Sequence, residues 1–225
     1  MIKAVVFDLD GTLLNRDASV RVFIDKQYER LNKWLKHIPK NKYINRFIEL
    51  DHRGYVWKDK VYKHLVDEFN IVGMTWEEFL QDYINQFQHS CVPFSNLVSM
   101  IKELKNKHLS LGMITNGKGQ FQMDNIKALG IEKYFDTILI SEWEGMKKPE
   151  PQIFNKVLSQ LKVRPKESVY IGDHPINDVK AARNAGMKSI WKQSDQWDNV
   201  KADFIVSDLK DIPFIVSRLS SQNVE

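Results

Sequence analysis

Ile2-Lys3-Ala4-Val5-Val6-Phe7-Asp8-Leu9-Asp10-Gly11-Thr12-Leu13-Leu14 decides the fold of this chain. Ile2 to Phe7 is a short run rich in β-branched and aromatic residues, which predicts a buried parallel strand, and Gly11 is the first strong turn signal after it. Two carboxylates follow where the strand runs out, with a threonine two residues further on. In an open α/β sheet ligands bind in the crevice at the carboxyl ends of the strands. Carboxylates this close repel each other, so one has a raised pKa unless a cation is shared between them. Either outcome serves an enzyme: a metal-neutralised Asp8 could act as nucleophile, and a neutral Asp10 could donate a proton. The plainer reading is a strand ending in a polar turn, with both aspartates capping the next segment.

Outward from that strand the texture changes twice. From Ala18 to Ile38 the apolar positions Val20, Ile24, Tyr28, Leu31, Leu35 and Ile38 step by three and four, predicting one helix ended by Pro39. Further helices are predicted over Tyr43 to Leu50, around Val61, Leu65 and Phe69, and after Thr75-Trp-Glu-Glu78, a capping-box pattern. No strand is predicted between Asn15 and Ser90.

After Pro93, strand-like and helical runs alternate, the sign of right-handed βαβ units. Strands are expected at Leu109 to Ile114, Phe135 to Ile140, Val169 to Ile171, Met187 to Trp191 and Asp203 to Val206. Helices are expected through Leu97, Ile101 and Leu104, up to Gly130, over Pro151 to Leu161, over Ile176 to Ala185, and from about Leu209 to Leu219, with Ser220 to Glu225 frayed. The expected fold is therefore α/β: a Rossmann-like parallel core from residues 1–14 and 91–225, interrupted by an all-helical subdomain over 15–90.

The later strand ends carry polar groups too. Thr115-Asn116-Gly117 offers a hydroxyl and turn amides that suit an anionic oxygen. Lys147-Lys148-Pro149 offers cations beside a rigidifying proline, and Gly172-Asp173-His-Pro-Ile-Asn-Asp178 pairs two carboxylates that can bind a hard cation. Four successive strand ends thus present two carboxylates, a hydroxyl, a lysine and two more carboxylates.

At this point the residues resemble the haloacid dehalogenase superfamily of phosphohydrolases. Its motif Asp-x-Asp-x-Thr is matched by Asp8, Asp10 and Thr12, its strand-end Ser or Thr by Thr115, its Lys before Pro by Lys148, and its Gly-Asp-x4-Asp by Asp173 and Asp178. The resemblance covers almost the whole chain. It implies that Asp8 attacks phosphorus and becomes an aspartyl phosphate, while Asp10 protonates the leaving oxygen and then deprotonates water. Mg²⁺ would be held by Asp8, the Asp10 carbonyl, Asp173 and Asp178, and Thr115 and Lys148 would stabilise the transferring group. Thr12, Asn116 and Arg53 are the candidates for substrate contact, and the helical insert would act as a cap.

Two rivals differ in chemistry. Dehalogenases of the same superfamily need no metal and lack the acid matched by Asp10. Phospho-acceptor signalling domains carry the acceptor on a middle strand and have no large helical insert.

The composition is ordinary for a soluble globular protein. The 225 residues are 43% hydrophobic and 28% charged, with a formal net charge of +4, which does not argue for nucleic acid. Cys91 is the single cysteine, so no intrachain disulfide forms and a reducing cytoplasm is the expected home. No signal peptide or membrane span is expected. Arg30, Lys33, Lys36, Lys40, Lys42 and Arg46 form a basic run without an acid, read as a solvated helix face or as steering for anionic substrates. Trp57 and Trp76 read as packing residues. The expected partner is a small phosphorylated metabolite, acted on by a monomer or homodimer.

Overall fold

The opening apolar run becomes β1 (Ala4–Phe7), every residue of which is buried. In the computed structural model, which describes residues 1–221, β1 lies at the middle of a six-stranded sheet of order β3-β2-β1-β4-β5-β6. The other strands are β2 (Ser110–Thr115), β3 (Thr137–Ile140), β4 (Ser168–Gly172), β5 (Lys188–Lys192) and β6 (Phe204–Val206). All five pairings are parallel, and β1 sits in register with both neighbours, Phe7 opposite Met113 and Ile171. A strand flanked on both sides and covered on both faces has no polar position to offer until it ends. That is why the carboxylates come immediately after Phe7.

The chain divides into two compact units, Met1–Asn15 with Pro93–Glu225, and Arg16–Val92. In the first, helices α6 (Leu97–Asn106), α7 (Gly119–Ala128), α8 (Ser141–Glu144), α9 (Pro151–Leu161), α10 (Ala181–Asn184) and α11 (Ile212–Ser221) accompany the strands. Helix α9 buries Ile153, Phe154, Val157, Leu158 and Leu161 in a cluster with Val6, Ile114, Leu139 and Tyr170. Leu14 and Pro93 form an antiparallel bridge, and the amide of Phe94 donates to the carbonyl of Leu13 at 3.0 Å, so the chain leaves and rejoins this unit at neighbouring points.

The second unit holds α1 (Arg16–Arg30), α2 (Asn32–Leu35), α3 (Lys40–Asp51), α4 (Lys58–Glu68) and α5 (Trp76–Gln86), and among its described residues there is no strand. Its core is aromatic: Phe23 meets Tyr83 edge-on at 5.1 Å, and Tyr62 stacks on Phe79 at 5.5 Å. The fully buried Gln27 amide lies among these rings, accepting from the Tyr62 hydroxyl at 2.9 Å and donating to Asp82 at 2.8 Å. Thr75 and Glu78 close the capping box of α5.

Three expectations are corrected. The helix expected over Ala18 to Ile38 breaks at Leu31, because the Tyr28 hydroxyl donates to the Ile38 carbonyl at 2.7 Å. Ten residues of straight helix would set the two Cα atoms about 15 Å apart along the axis, beyond the reach of a tyrosine side chain. The helix expected over Ile176 to Ala185 begins as a π-turn over Pro175–Lys180 before α10. Ser220 and Ser221 are helical rather than frayed, and the remainder of that expected tail, 222–225, lies outside the described residues.

The basic run proves largely paired within its own unit. Arg30 meets Asp82 at 2.8 Å, Lys40 meets Asp25 and Glu29 at 2.7 Å, and Arg46 meets Glu68 at 2.7 Å. Lys42 lies over the Phe69 ring. Trp57 packs edge-on to Tyr83 and Trp76 carries Lys63 over its face. No described helix is long and apolar enough to cross a membrane.

Candidate active site

Asp8 stands one residue past the centre of the sheet, its amide donating to the Ile171 carbonyl of β4 at 2.9 Å. Its side chain is buried, and Lys148 Nζ reaches Oδ1 at 2.5 Å while the Thr12 hydroxyl donates to Oδ2 at 3.2 Å. Lys148 comes from the loop after α8, 140 residues away in sequence. The same ammonium donates to Asp178 Oδ1 at 2.7 Å and to the Tyr170 hydroxyl at 3.1 Å. Three N–H groups and three acceptors leave no donor over. In this structure the Lys148 ammonium is thus fully engaged by Asp8, Asp178 and Tyr170.

Asn116 holds the Lys148 loop in place. Its Nδ2 donates to the Lys148 carbonyl and its Oδ1 accepts from the Lys148 amide, both at 2.9 Å. Both ends of that amide are thus committed to backbone. Thr12 is fully buried with its hydroxyl on Asp8. In this structure both side chains are engaged with their neighbours, Thr12 with Asp8 and Asn116 with the Lys148 backbone.

Asp8, Asp173 and Asp178 each present a carboxylate oxygen within 4.8 Å of the others. The turn that carries Asp178 is capped by His174, whose Nδ1 accepts from the amides of Ile176 and Asn177 at 3.1 Å. The amide of His174 in turn donates to Asp178 Oδ2 at 2.9 Å. Trp191 Nε1 holds the Asp173 carbonyl at 2.7 Å. Gly11, at φ +81°, is pressed so closely on the Asp173 carboxylate that a Cβ there would collide with it, which accounts for glycine on both steric and conformational grounds.

Three carboxylates against one ammonium leave two negative charges uncompensated in a buried place. Burial pushes Asp8 up to about 7 against the pull of Lys148, with Asp178 and Asp10 adding to the rise. Burial, then Asp8 and Asp178, push Asp173 up to about 8. Burial would lower Lys148, but Asp178 and Asp8 outweigh it and hold the amine well above its ordinary value. Hard oxygen donors whose ionised forms lack a counter-charge fit a divalent cation such as Mg²⁺.

The linkage has a definite sign. Asp8 and Asp173 bind protons more tightly in the folded chain than in the unfolded one, so their stabilising contribution is full below about pH 4 and is lost as pH rises through about 7 and 8. The thermal midpoint of cation-free protein is expected to fall between pH 5 and 8, and saturating Mg²⁺ is expected to flatten that slope by binding the ionised form. Calorimetry across that window checks it; a midpoint that climbs with pH would contradict the assignment.

Asp10 stands apart from the three clustered carboxylates. Its Oδ2 accepts from Gln122 Nε2 at 2.7 Å, and the same nitrogen donates to the Thr115 hydroxyl oxygen at 2.6 Å. Gln122, Tyr170 and His174 were not among the residues singled out from the sequence. A signal for the first existed: the inward face of α7 is Gly119, Gln122, Asn125 and Ile126, unusually polar for a buried stripe. Arg53 belongs to the helical unit, where it lines a cavity of about 240 Å³ with Arg16, Arg21, Asp17 and Asp51. It stands in a left-handed turn, His52, Arg53 and Gly54 having φ of 45°, 53° and 89°.

Residues 5–192 match the haloacid dehalogenase-like hydrolase family. A glyceraldehyde 3-phosphate phosphatase of Methanothermobacter thermautotrophicus is 31% identical over 207 residues, 87% of each chain. The HAD hydrolase YfnB of Bacillus subtilis, solved with bound magnesium, superposes with a TM-score of 0.74 at 22% identity, covering 96% of this chain and 98% of that one. A 2-haloacid dehalogenase of Pseudomonas syringae superposes with a TM-score of 0.67 at 26% identity, over 97% and 99%. With a parallel sheet whose central strand is followed directly by Asp8, and with the family model matched over most of the chain, this chain belongs to the haloacid dehalogenase-like hydrolases.

Proposed function

We propose that this protein is a Mg²⁺-dependent phosphohydrolase that cleaves small phosphate monoesters through an aspartyl phosphate on Asp8. The observation that carries the proposal is the Asp8 carboxylate at the end of the central strand, held by Lys148 and clustered with Asp173 and Asp178. The phosphatase relative adds support, and its named substrate, glyceraldehyde 3-phosphate, joins sugar phosphates and nucleoside monophosphates among the candidates.

In the first step an Asp8 carboxylate oxygen bonds to phosphorus as the ester P–O bond breaks, and Asp10 gives its proton to the departing oxygen. In the second step Asp10 takes a proton from water as the water oxygen bonds to phosphorus and the bond to Asp8 breaks, releasing inorganic phosphate. A divalent cation at Asp8, the Asp10 carbonyl, Asp173 and Asp178 would supply positive charge to the dianionic phosphoryl group. The Thr115 hydroxyl would face a phosphoryl oxygen. The helical unit is read as the cap, with Arg53 as its candidate for an anionic end of the substrate.

A panel of phosphorylated metabolites assayed for phosphate release with Mg²⁺ and with EDTA tests the proposal. Release from at least one monoester, lost in chelator and restored by added Mg²⁺, is the expected result. The carboxylate cluster and Asp10 argue against the dehalogenase reading. Halide release from a 2-haloacid without phosphatase activity would reverse that preference.

A further inference from the structure

We infer that Gln122 is a positioning residue that sets the Asp10 carboxylate for proton transfer, an inference that rests on the phosphohydrolase reading above. The buried Gln122 amide points its NH₂ at two oxygens at once, Asp10 Oδ2 at 2.7 Å and Thr115 Oγ1 at 2.6 Å. An amide nitrogen only donates, so the contact fixes which end of the group faces Asp10. Both hydrogens are engaged, one on the carboxylate and one on a hydroxyl at the end of β2, and the far end, Oε1, accepts from Asn125 at 3.4 Å. The amide is therefore held from three sides.

The consequence is chemical. A proton on Oδ2 would point into an N–H donor, so when Asp10 carries a proton it sits on Oδ1. Gln122 thereby makes the two oxygens unequal: Oδ2 is a fixed acceptor, and Oδ1 exchanges the proton with the leaving oxygen and then with water. Of its two contacts, the one to Asp10 bears on the proton and the one to Thr115 holds the amide in place.

The test exploits leaving-group chemistry. A p-nitrophenolate departs without a proton, whereas an alkoxide needs one, so a fault in proton delivery harms alkyl phosphates selectively. kcat/KM, which reports events through leaving-group departure, is compared for p-nitrophenyl phosphate and an alkyl phosphate in wild type, Gln122→Met and Asp10→Asn. Gln122→Met is expected to lower the alkyl-to-aryl ratio by about 10-fold or more, in the direction of Asp10→Asn, since general acid catalysis contributes about 10² to 10⁴. Its Mg²⁺ affinity should stay near wild type and its circular dichroism should match, the lost buried hydrogen bonds lowering only the thermal midpoint. Equal losses on both esters, or no loss, would overturn the inference and leave Gln122 a packing residue. Wild type that releases phosphate from neither ester would instead sink the phosphohydrolase reading, so the two failures are distinguishable.

Discussion

Replacing Asp8 with Asn is expected to lower phosphate release by at least about 10⁴-fold, the scale on which removing a covalent nucleophile acts. The substitution preserves volume, and the Asn carbonyl can still accept from Lys148, so the loss would come from chemistry rather than collapse. An amide oxygen carries no charge with which to bond to phosphorus. Asn also removes one negative charge from the cluster with Asp173 and Asp178, which relieves repulsion in a buried site. The variant should therefore fold, and its circular dichroism should match wild type. Acid-quenched wild type should yield an acyl phosphate that hydroxylamine captures, and the variant should yield none. Turnover near the wild-type rate would remove Asp8 from the reaction.

The second large effect concerns Lys148, where activity and stability should fall together. Lys148→Ala leaves Asp8 and Asp178 buried without their cation, and breaking a buried pair in this way typically costs about 3–5 kcal/mol. It also unfixes Asp8, so kcat should drop by about two orders of magnitude or more. The stability loss has a pH signature. Below the raised pKa values of Asp8 and Asp173 the carboxyls are neutral and need no counter-charge, so urea unfolding at pH 5 should separate variant from wild type less than at pH 8. A constant gap at both pH values would mean that lost packing, not lost charge, explains the damage.

The sheet was legible because each strand is an apolar run ended by polar residues, a pattern that specifies both the strand and the place where its ligands gather. Asp8, Thr115 and Asp173 announce themselves at those boundaries, and Lys148 and Asp178 in the segments that follow β3 and β4. Tyr170 does not, because it lies inside a strand whose pattern reads only as buried, and Gln122 shows itself only as a polar position on the inward face of α7. Tyr170 packs its ring 5.3 Å from Phe154 while its hydroxyl reaches Lys148, and no local pattern encodes that double duty. The π-turn after His174 was hidden for a related reason. Its amides find an imidazole nitrogen as acceptor, an option that helix periodicity does not consider. Likewise the run from Arg30 to Arg46 looked like uncompensated charge only because partners such as Asp82 and Glu68 are distant in sequence.

The bridge between Leu14 and Pro93 makes the intervening 16–92 a detachable module. Since the two stems are already hydrogen-bonded neighbours, and loop-closure entropy rises only slowly with length, a peptide of different length across the gap is expected to leave the six strands paired. Chimeras that exchange this segment between relatives are expected to fold with the Asp8, Lys148, Asp173 and Asp178 cluster unchanged.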